Sequence, residues 1–368
     1  MASKDQQRQR ADQDFIASGQ ELTFGDAAGL PLPPARLCAL REDSPGVEAT
    51  IRSGLTAVVY KLRAGDRCYA VKRARPACLV QNADGQTSFL NELRRHAELR
   101  AMRGRGVPFP GVIAPLYGSL REGLLVGPWV EGRPIDDFDR RTLTQVFAAG
   151  RALLSQGFFE WDFSPGNLLD DGGQAWLFDF GYMYRFDPLT EFNSAGNGRD
   201  VPAFHLAERI ETRAAFAWLL RIEGRDGRPA ALAAYRMVKE VALGCYATWR
   251  EELRARRADT LICRWLDGVM ADWRAALADA DAALERMYLR EGWRSHSLDL
   301  QDDLHGQTCT PATLLRAGWL IRTIETSHAF LLGSGVLSAA EQGLPQPELL
   351  RRYQAYRATA AGLQLGGG

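Results

Sequence analysis

The 368-residue chain has no excess of charge of either sign: lysine plus arginine number 45, and aspartate plus glutamate 45. A chain without a net field has no general means of recruiting nucleic acid or an anionic membrane. Neither is expected as a partner, and any nucleotide site must rest on local chemistry. Cysteine is sparse. The six residues, Cys38, Cys68, Cys78, Cys245, Cys263 and Cys309, form no C-x-x-C pair. A chain of this length does not need disulfide staples, so they read as buried or incidental thiols. The five histidines are equally scattered, without the closely spaced ligand pairs of a zinc site. There is no internal repeat and no low-complexity block. No apolar run is long enough to span a bilayer, and the polar start MASKDQQRQRADQDF lacks the apolar stretch of a signal peptide. A cytoplasmic protein is expected.

Hydrophobic residues make up 46% and charged residues 24%, enough apolar material for a sizeable core. Residues 1 to about 20 read as a solvated, poorly ordered start, and Gly29 to Leu37 as a Gly/Pro-rich loop. Thr50 to Leu62 and Arg67 to Arg73 read as two strands joined by Arg63-Ala64-Gly65-Asp66. Ser88 to Met102 has helical spacing, with Phe89, Leu93 and Leu99 on roughly one face. Leu116 to Leu120 and Leu124 to Trp129 suggest a second hairpin. Leu143 to Gln156 is an amphipathic helix, followed by a tight loop at 160–167 between short apolar runs. Beyond Pro202, helix formers dominate in 204–222, 229–256, 259–288 and 311–331, and the tail from Pro345 is a further short helix. The tryptophans of this half, Trp218, Trp249, Trp265, Trp273, Trp293 and Trp319, read as core or interhelical packing.

Four groups carry chemistry. Phosphoryl transfer from a nucleotide needs positioning and neutralisation of phosphate charge more than covalent help. Asp179, in Leu177-Phe178-Asp179-Phe180-Gly181, is a carboxylate after a short apolar strand and before a flexible glycine, suited to hold Mg²⁺ against phosphates. Asp162 and Asn167, in Trp161-Asp162-Phe163-Ser164-Pro165-Gly166-Asn167, suit a base that orients an attacking hydroxyl and a second metal ligand. A polar turn stabilised by Pro and Gly would look the same in isolation. Their order with Asp179, separated by the hairpin-length insert Asp170-Asp171-Gly172-Gly173, makes the set specific. Lys72, in Tyr69-Ala70-Val71-Lys72, can clamp phosphates from a strand. Glu92, on the following helix, can pair with it and is preferred to Glu98 for its distance from Lys72.

In these motifs, over about Ile51 to Gly181, the chain resembles the protein-kinase-like superfamily. The resemblance implies an α+β, bilobal fold with a small antiparallel-sheet lobe carrying one helix and a large, mostly helical lobe. It implies an N-terminal extension over 1–47, the first lobe over 48–127, and a hinge and helical lobe over 128–368. It implies ATP and Mg²⁺ as cofactors, with Asp162, Lys72, Asn167 and Asp179 catalytic and with Asn167 and Asp179 on the metal. Val126 to Gly132 looks like the adenine-binding hinge, through the Pro128 carbonyl and the Val130 N–H. The Gly-rich loop is partly present as Ser53-Gly54-Leu55-Thr56-Ala57, where Ser53 and Thr56 supply hydroxyls and Gly54 a close backbone approach.

The departures from the family pattern point to a branch. Glu160-Trp161 replaces the usual His-Arg, Ser164 stands where protein-directed kinases carry Lys, and no clear Ala-Pro-Glu follows Gly181. Asp-Phe-Ser-Pro-Gly-Asn is more similar to the aminoglycoside and choline kinases. Phe186 to Arg213, with Asn193, Arg199, His205, Glu208 and Arg209, occupies the place of acceptor contacts. The expectation is a kinase that takes a nucleotide and a hydroxyl-bearing acceptor, a small molecule or sugar. A protein Ser, Thr or Tyr acceptor and a catalytically silent nucleotide-binding scaffold are the alternatives.

Overall fold

β-branched and aromatic residues in Val58-Val59-Tyr60 and Tyr69-Ala70-Val71 favour strands, and the chain reverses between them at Gly65-Asp66. Gly65 takes φ +58° there, the conformation that two-residue hairpin turns ask of glycine. In the computed structural model, which describes residues 3–80, 82–278 and 282–364, these runs become β3 (Ala57–Ala64) and β4 (Arg67–Ala74). Around them lie α1 (Lys4–Ala17), β1 (Thr23–Gly25), α2 (Pro34–Cys38), β2 (Val47–Ile51), α3 (Ala83–Gly104), β5 (Tyr117–Ser119) and β6 (Leu124–Pro128). The six strands form one antiparallel sheet in the order β1-β5-β6-β4-β3-β2. Tyr60, Leu62, Val71, Leu124 and Val126 pack with Leu37 and Leu40, while Leu125 packs with Phe24 and with Leu93 of α3. Lys72 is the cross-strand partner of Leu125. Cross-strand partners share a face, so Lys72 stands on the face that carries α3.

Four expectations change here. Within Gly29 to Leu37, expected as loop, the chain from Pro34 forms the short helix α2, with Pro34 at its first position. The single strand expected over Thr50 to Leu62 is two, β2 and β3, with 52–56 as the turn between them. The helix expected from Ser88 starts at Ala83, because Asn82 accepts the Gly85 N–H at 2.8 Å and caps it. The start of the chain, expected to be poorly ordered, carries α1. Ser3 and Gln6 form a reciprocal capping box. The helix docks on α3 through charge: Arg8 to Asp84 at 2.8 Å, Gln9 to Asp84 at 3.1 Å, and Arg94 to the buried Asp12.

The next stretch contains β7 (Arg133–Pro134), α4 (Arg140–Ser155), β8 (Phe158–Glu160), a 3₁₀ turn at Pro165–Asn167, β9 (Leu168–Asp170), β10 (Ala175–Leu177) and β11 (Met183–Arg185). β9 pairs with β10 and β7, and β11 with β8. The remainder is helical: α5 (Leu206–Ile210), a π-helical stretch at Glu211–Ala215, α6 (Phe216–Asp226), α7 (Arg228–Ala255), α8 (Thr260–Ala278), α9 (Ala282–Gly306), α10 (Pro311–Ser334) and α11 (Gln346–Gly362). α9 runs well past Tyr288, where the sequence reading stopped. The helix expected over 259–288 crosses 279–281, which lie outside the described residues. The protein is therefore α+β, a small antiparallel sheet with a larger helical part. No described helix is long and apolar enough to cross a membrane.

The chain divides into two compact units. One comprises Met1–Ile135, Thr144–Leu206 and Glu251–Cys263; the other comprises Asp136–Leu143, Ala207–Arg250 and Arg264–Gly368. The segments expected as extension and first lobe both fall in the first unit, together with β7 to β11. The second unit is built on aromatic packing. Phe216, Tyr235, Tyr288 and Trp319 meet in series at centroid distances of 5.3 to 6.1 Å, and Trp218, Trp249, Trp273 and Trp293 are buried as expected of packing residues. Trp265 is only half-buried. The second unit also buries the Lys239 ammonium between Glu211 at 2.6 Å and Glu291 at 2.5 Å.

Candidate functional site

All five residues that carry the expected chemistry lie in the first unit. The Lys72 Nζ is 2.7 Å from Glu92 Oε2 and 2.7 Å from Asp179 Oδ2. Glu98, the alternative partner, instead meets Arg95 at 3.2 Å and Arg185 at 3.9 Å. Lys72 is almost enclosed. Burial works against its charge, but Asp179 and Glu92 overcome it and raise its pKa above the ordinary lysine value. Burial likewise opposes ionisation of Asp179, yet the Lys72 ammonium and the Gly181 N–H hold its carboxyl below the usual range. Glu92 goes the other way. Burial, with the Asp179 charge adding to it, outweighs Lys72 and pushes the Glu92 carboxyl up to about 7.

That shift has a measurable sign. A carboxyl raised from 4.5 to about 7 on folding favours the folded state fully below 4.5, and this contribution is lost as pH rises through 7. Wild type is therefore expected to lose about 3 kcal/mol relative to Glu92→Gln between those pH values. Urea unfolding of both proteins across the range tests it. Parallel stability–pH curves would remove Glu92 as the group concerned.

Asp179 has φ +64°, a left-handed conformation uncommon outside glycine and costly unless the surroundings hold it. A holding group is visible. The side-chain amide of Asn91, buried on α3, donates through Nδ2 to the carbonyls of Phe180 at 3.2 Å, Gly181 at 2.9 Å and Met183 at 2.9 Å. Phe180 packs its ring 5.0 Å from the imidazole of His96, itself buried and kept neutral as burial lowers its pKa to about 3. Sequence reasoning missed both Asn91 and His96, although Asn91 adjoins Glu92. A polar residue at an otherwise helix-core spacing was the available signal. Asn91→Ala is expected to cost about 1–3 kcal/mol in urea unfolding, because it strips buried carbonyls of their donor. A change under half a kcal/mol would mean those carbonyls find other partners.

Asp162 and Asn167 form the second half of the set. The Asn167 Nδ2 donates to Asp162 Oδ2 at 3.0 Å and to the Asp162 carbonyl at 3.1 Å. This fixes which end of the amide is which and turns the Asn167 oxygen away from Asp162. The Asp162 N–H donates to Glu160 Oε1 at 2.7 Å. Glu160 is buried, its Oε2 has no hydrogen-bond partner, and burial raises its carboxyl well above the usual range. Burial thus favours its neutral form behind Asp162. The two halves are joined by backbone: Leu168 pairs with Leu177 across the β9–β10 hairpin, and the Phe178 N–H donates to the Asn167 carbonyl at 3.2 Å. That ladder sets Asn167 beside Phe178, the residue before Asp179.

Ser53, Gly54 and Thr56 form the exposed to half-buried turn between β2 and β3. Arg75 holds it from behind, donating to the carbonyls of Gly54 at 2.9 Å, Arg52 at 2.6 Å and, through its backbone, Thr56 at 2.9 Å. The turn is thus tied to the strand bearing Lys72, not to the carboxylates. Pro128 ends β6 opposite Tyr69 and is exposed, and Val130 is half-buried two residues on. Of the residues expected at an acceptor, Asn193 is fully buried and spends its amide on the carbonyls of Val201 and Phe204. Arg199 pairs with Asp259, and Glu208 with Arg209. Those contacts are structural.

Among the described residues no group of three or more His, Cys, Asp or Glu gathers as a metal cage. The fit to magnesium rests on oxygen donors, the carboxylate of Asp179 and the amide oxygen of Asn167. One or two such ligands completed by water and phosphate oxygens is how Mg²⁺ is commonly held. No family model matches the chain, and no curated protein matches it.

Proposed function

We propose that this protein is a Mg²⁺-dependent kinase that moves the γ-phosphoryl group of ATP to a hydroxyl of a small molecule or sugar, on a bilobal, protein-kinase-like fold. The observation that carries the reading is the meeting of Lys72 with Glu92 and Asp179, 20 and 107 residues along the chain, at 2.7 Å each. A lysine held between two carboxylates has a fixed direction and charge, as a phosphate clamp requires. Asn167 and Asp179 would hold magnesium, which supplies neutralisation of phosphate charge. Asp162 accepts the proton of the acceptor hydroxyl, and Asn167 and Glu160 fix its direction. Ser53 to Thr56 would meet the phosphates, and Pro128 and Val130 would meet the adenine edge through backbone groups. The small-molecule branch is favoured by Ser164 in place of Lys and by the Asp-Phe-Ser-Pro-Gly-Asn string.

Incubation of the protein with γ-labelled ATP, Mg²⁺ and a cell extract separated into small molecules and protein tests the proposal. Label is expected in the small-molecule fraction. Label on protein alone would transfer the reading to a protein kinase. ATP binding without any transfer would leave a silent scaffold.

A further inference from the structure

We propose that the first unit holds a separate binding site for a small free tetrahedral oxyanion of the phosphate class, in a cavity of about 250 Å³ between α1, α3, β11 and residues 191–198. The lining contributes five cations and three carboxylates. Each carboxylate is already committed. Asp12 accepts from Arg94, Glu191 meets Lys4 and the Asp187 N–H, and Asp5 accepts the Gly196 N–H at 2.6 Å. Arg8 is taken by Asp84 and lies over the Tyr184 ring.

Two guanidiniums are left under-neutralised. Arg95 and Arg185 share one carboxylate, Glu98, at 3.2 and 3.9 Å, and Arg185 also donates through Nη1 to the Gln156 carbonyl at 2.8 Å, a neutral acceptor that leaves its charge uncompensated. Arg95 is only 7% exposed, and its Nε has no hydrogen-bond partner. A buried cation in that state carries a desolvation cost that its ion pair does not cancel, and burial lowers the Arg95 pKa to about 10. Both guanidiniums lie against Phe158, at 5.9 and 4.3 Å from the ring centre, which restricts their orientation before any ligand arrives. A pair of preset planar donors beside a polar cavity recognises a multiply charged oxyanion by charge-assisted hydrogen bonds. The volume lies below the range of sites for drug-sized ligands, so a whole nucleotide does not fit and a small ion does. Ser194, whose Oγ accepts from Trp161 Nε1 at 2.8 Å, adds a hydroxyl to the wall. An ion bound there touches α3 and β11 together.

The test uses the full chain and inorganic phosphate. Phosphate should raise the melting temperature saturably over acetate at ionic strength matched with sodium chloride, as a ligand of the folded state must. Calorimetric titration should show one site. Arg95→Gln and Arg185→Gln should each weaken phosphate binding about tenfold or more. Arg185 has a side chain 45% exposed, so its variant keeps the test valid if Arg95→Gln fails to fold. Lys72→Met should leave phosphate affinity unchanged, which separates this site from the proposed nucleotide site. A response equal to that of acetate, undiminished binding by Arg185→Gln, or loss of binding in Lys72→Met would each overturn the proposal.

Discussion

Asp179→Asn is expected to lower phosphoryl transfer by about 10³-fold or more. The substitution keeps the side-chain shape, and asparagine tolerates a left-handed backbone better than other non-glycine residues, so the loop should survive. What disappears is the charge that faces the Lys72 ammonium at 2.7 Å and that would hold magnesium. Asp179→Ala removes the oxygen donors as well and should also weaken Mg²⁺-dependent ATP binding. Single-turnover transfer from labelled ATP and equilibrium nucleotide binding, each with and without Mg²⁺, read the two effects separately. A rate in Asp179→Asn within a few fold of wild type would end the assignment of Asp179 to the phosphates.

Asp162→Ala should fail differently. Loss of a positioned general base costs about 10²–10⁴-fold in rate, while ATP affinity stays within a few fold. Asp162 meets Asn167 and Glu160, whereas the Lys72 ion pairs are made by Glu92 and Asp179. The rate is best followed as phosphate on the acceptor, with hydrolysis in the absence of acceptor subtracted, since water can replace a hydroxyl. Full transfer by Asp162→Ala would show that another group takes the proton. Equal losses of binding and rate would move Asp162 to the nucleotide side.

Much of this arrangement was readable beforehand, for a physical reason. Lys72, Asp162 and Asp179 each adjoin a short apolar run, and alternation within a run shows where a strand lies and where it ends. The turn at Gly65-Asp66 and the insert at 170–173 are signalled by glycine. What escaped notice depends on polar contacts that have no period. α1 has no apolar stripe to reveal it. It is held by Arg8, Gln9 and Asp12 meeting Asp84 and Arg94, roughly 75 to 82 positions away. Asn91 is a polar residue whose burial is made tolerable by carbonyls far along the chain, and no local pattern announces such partners. The helical second unit was legible in its helix formers and tryptophans, but not in its Lys239 ion pairs.

The β9–β10 hairpin bears on how this constellation tolerates change in length. Asn167 lies against Phe178, next in the chain to Asp179, because Leu168 faces Leu177 and Phe178 binds back to Asn167, whatever number of residues closes the loop. Residues 171–173 at its tip are exposed, and the space around Gly172 is open, although its φ of +95° favours glycine at that position itself. Extra residues at that tip would leave the pairing untouched, whereas one inserted between Ala175 and Phe178 would turn alternate side chains to the wrong face. The trait that places Asn167 and Asp179 is thus a strand register, and the count of residues between them is free to drift.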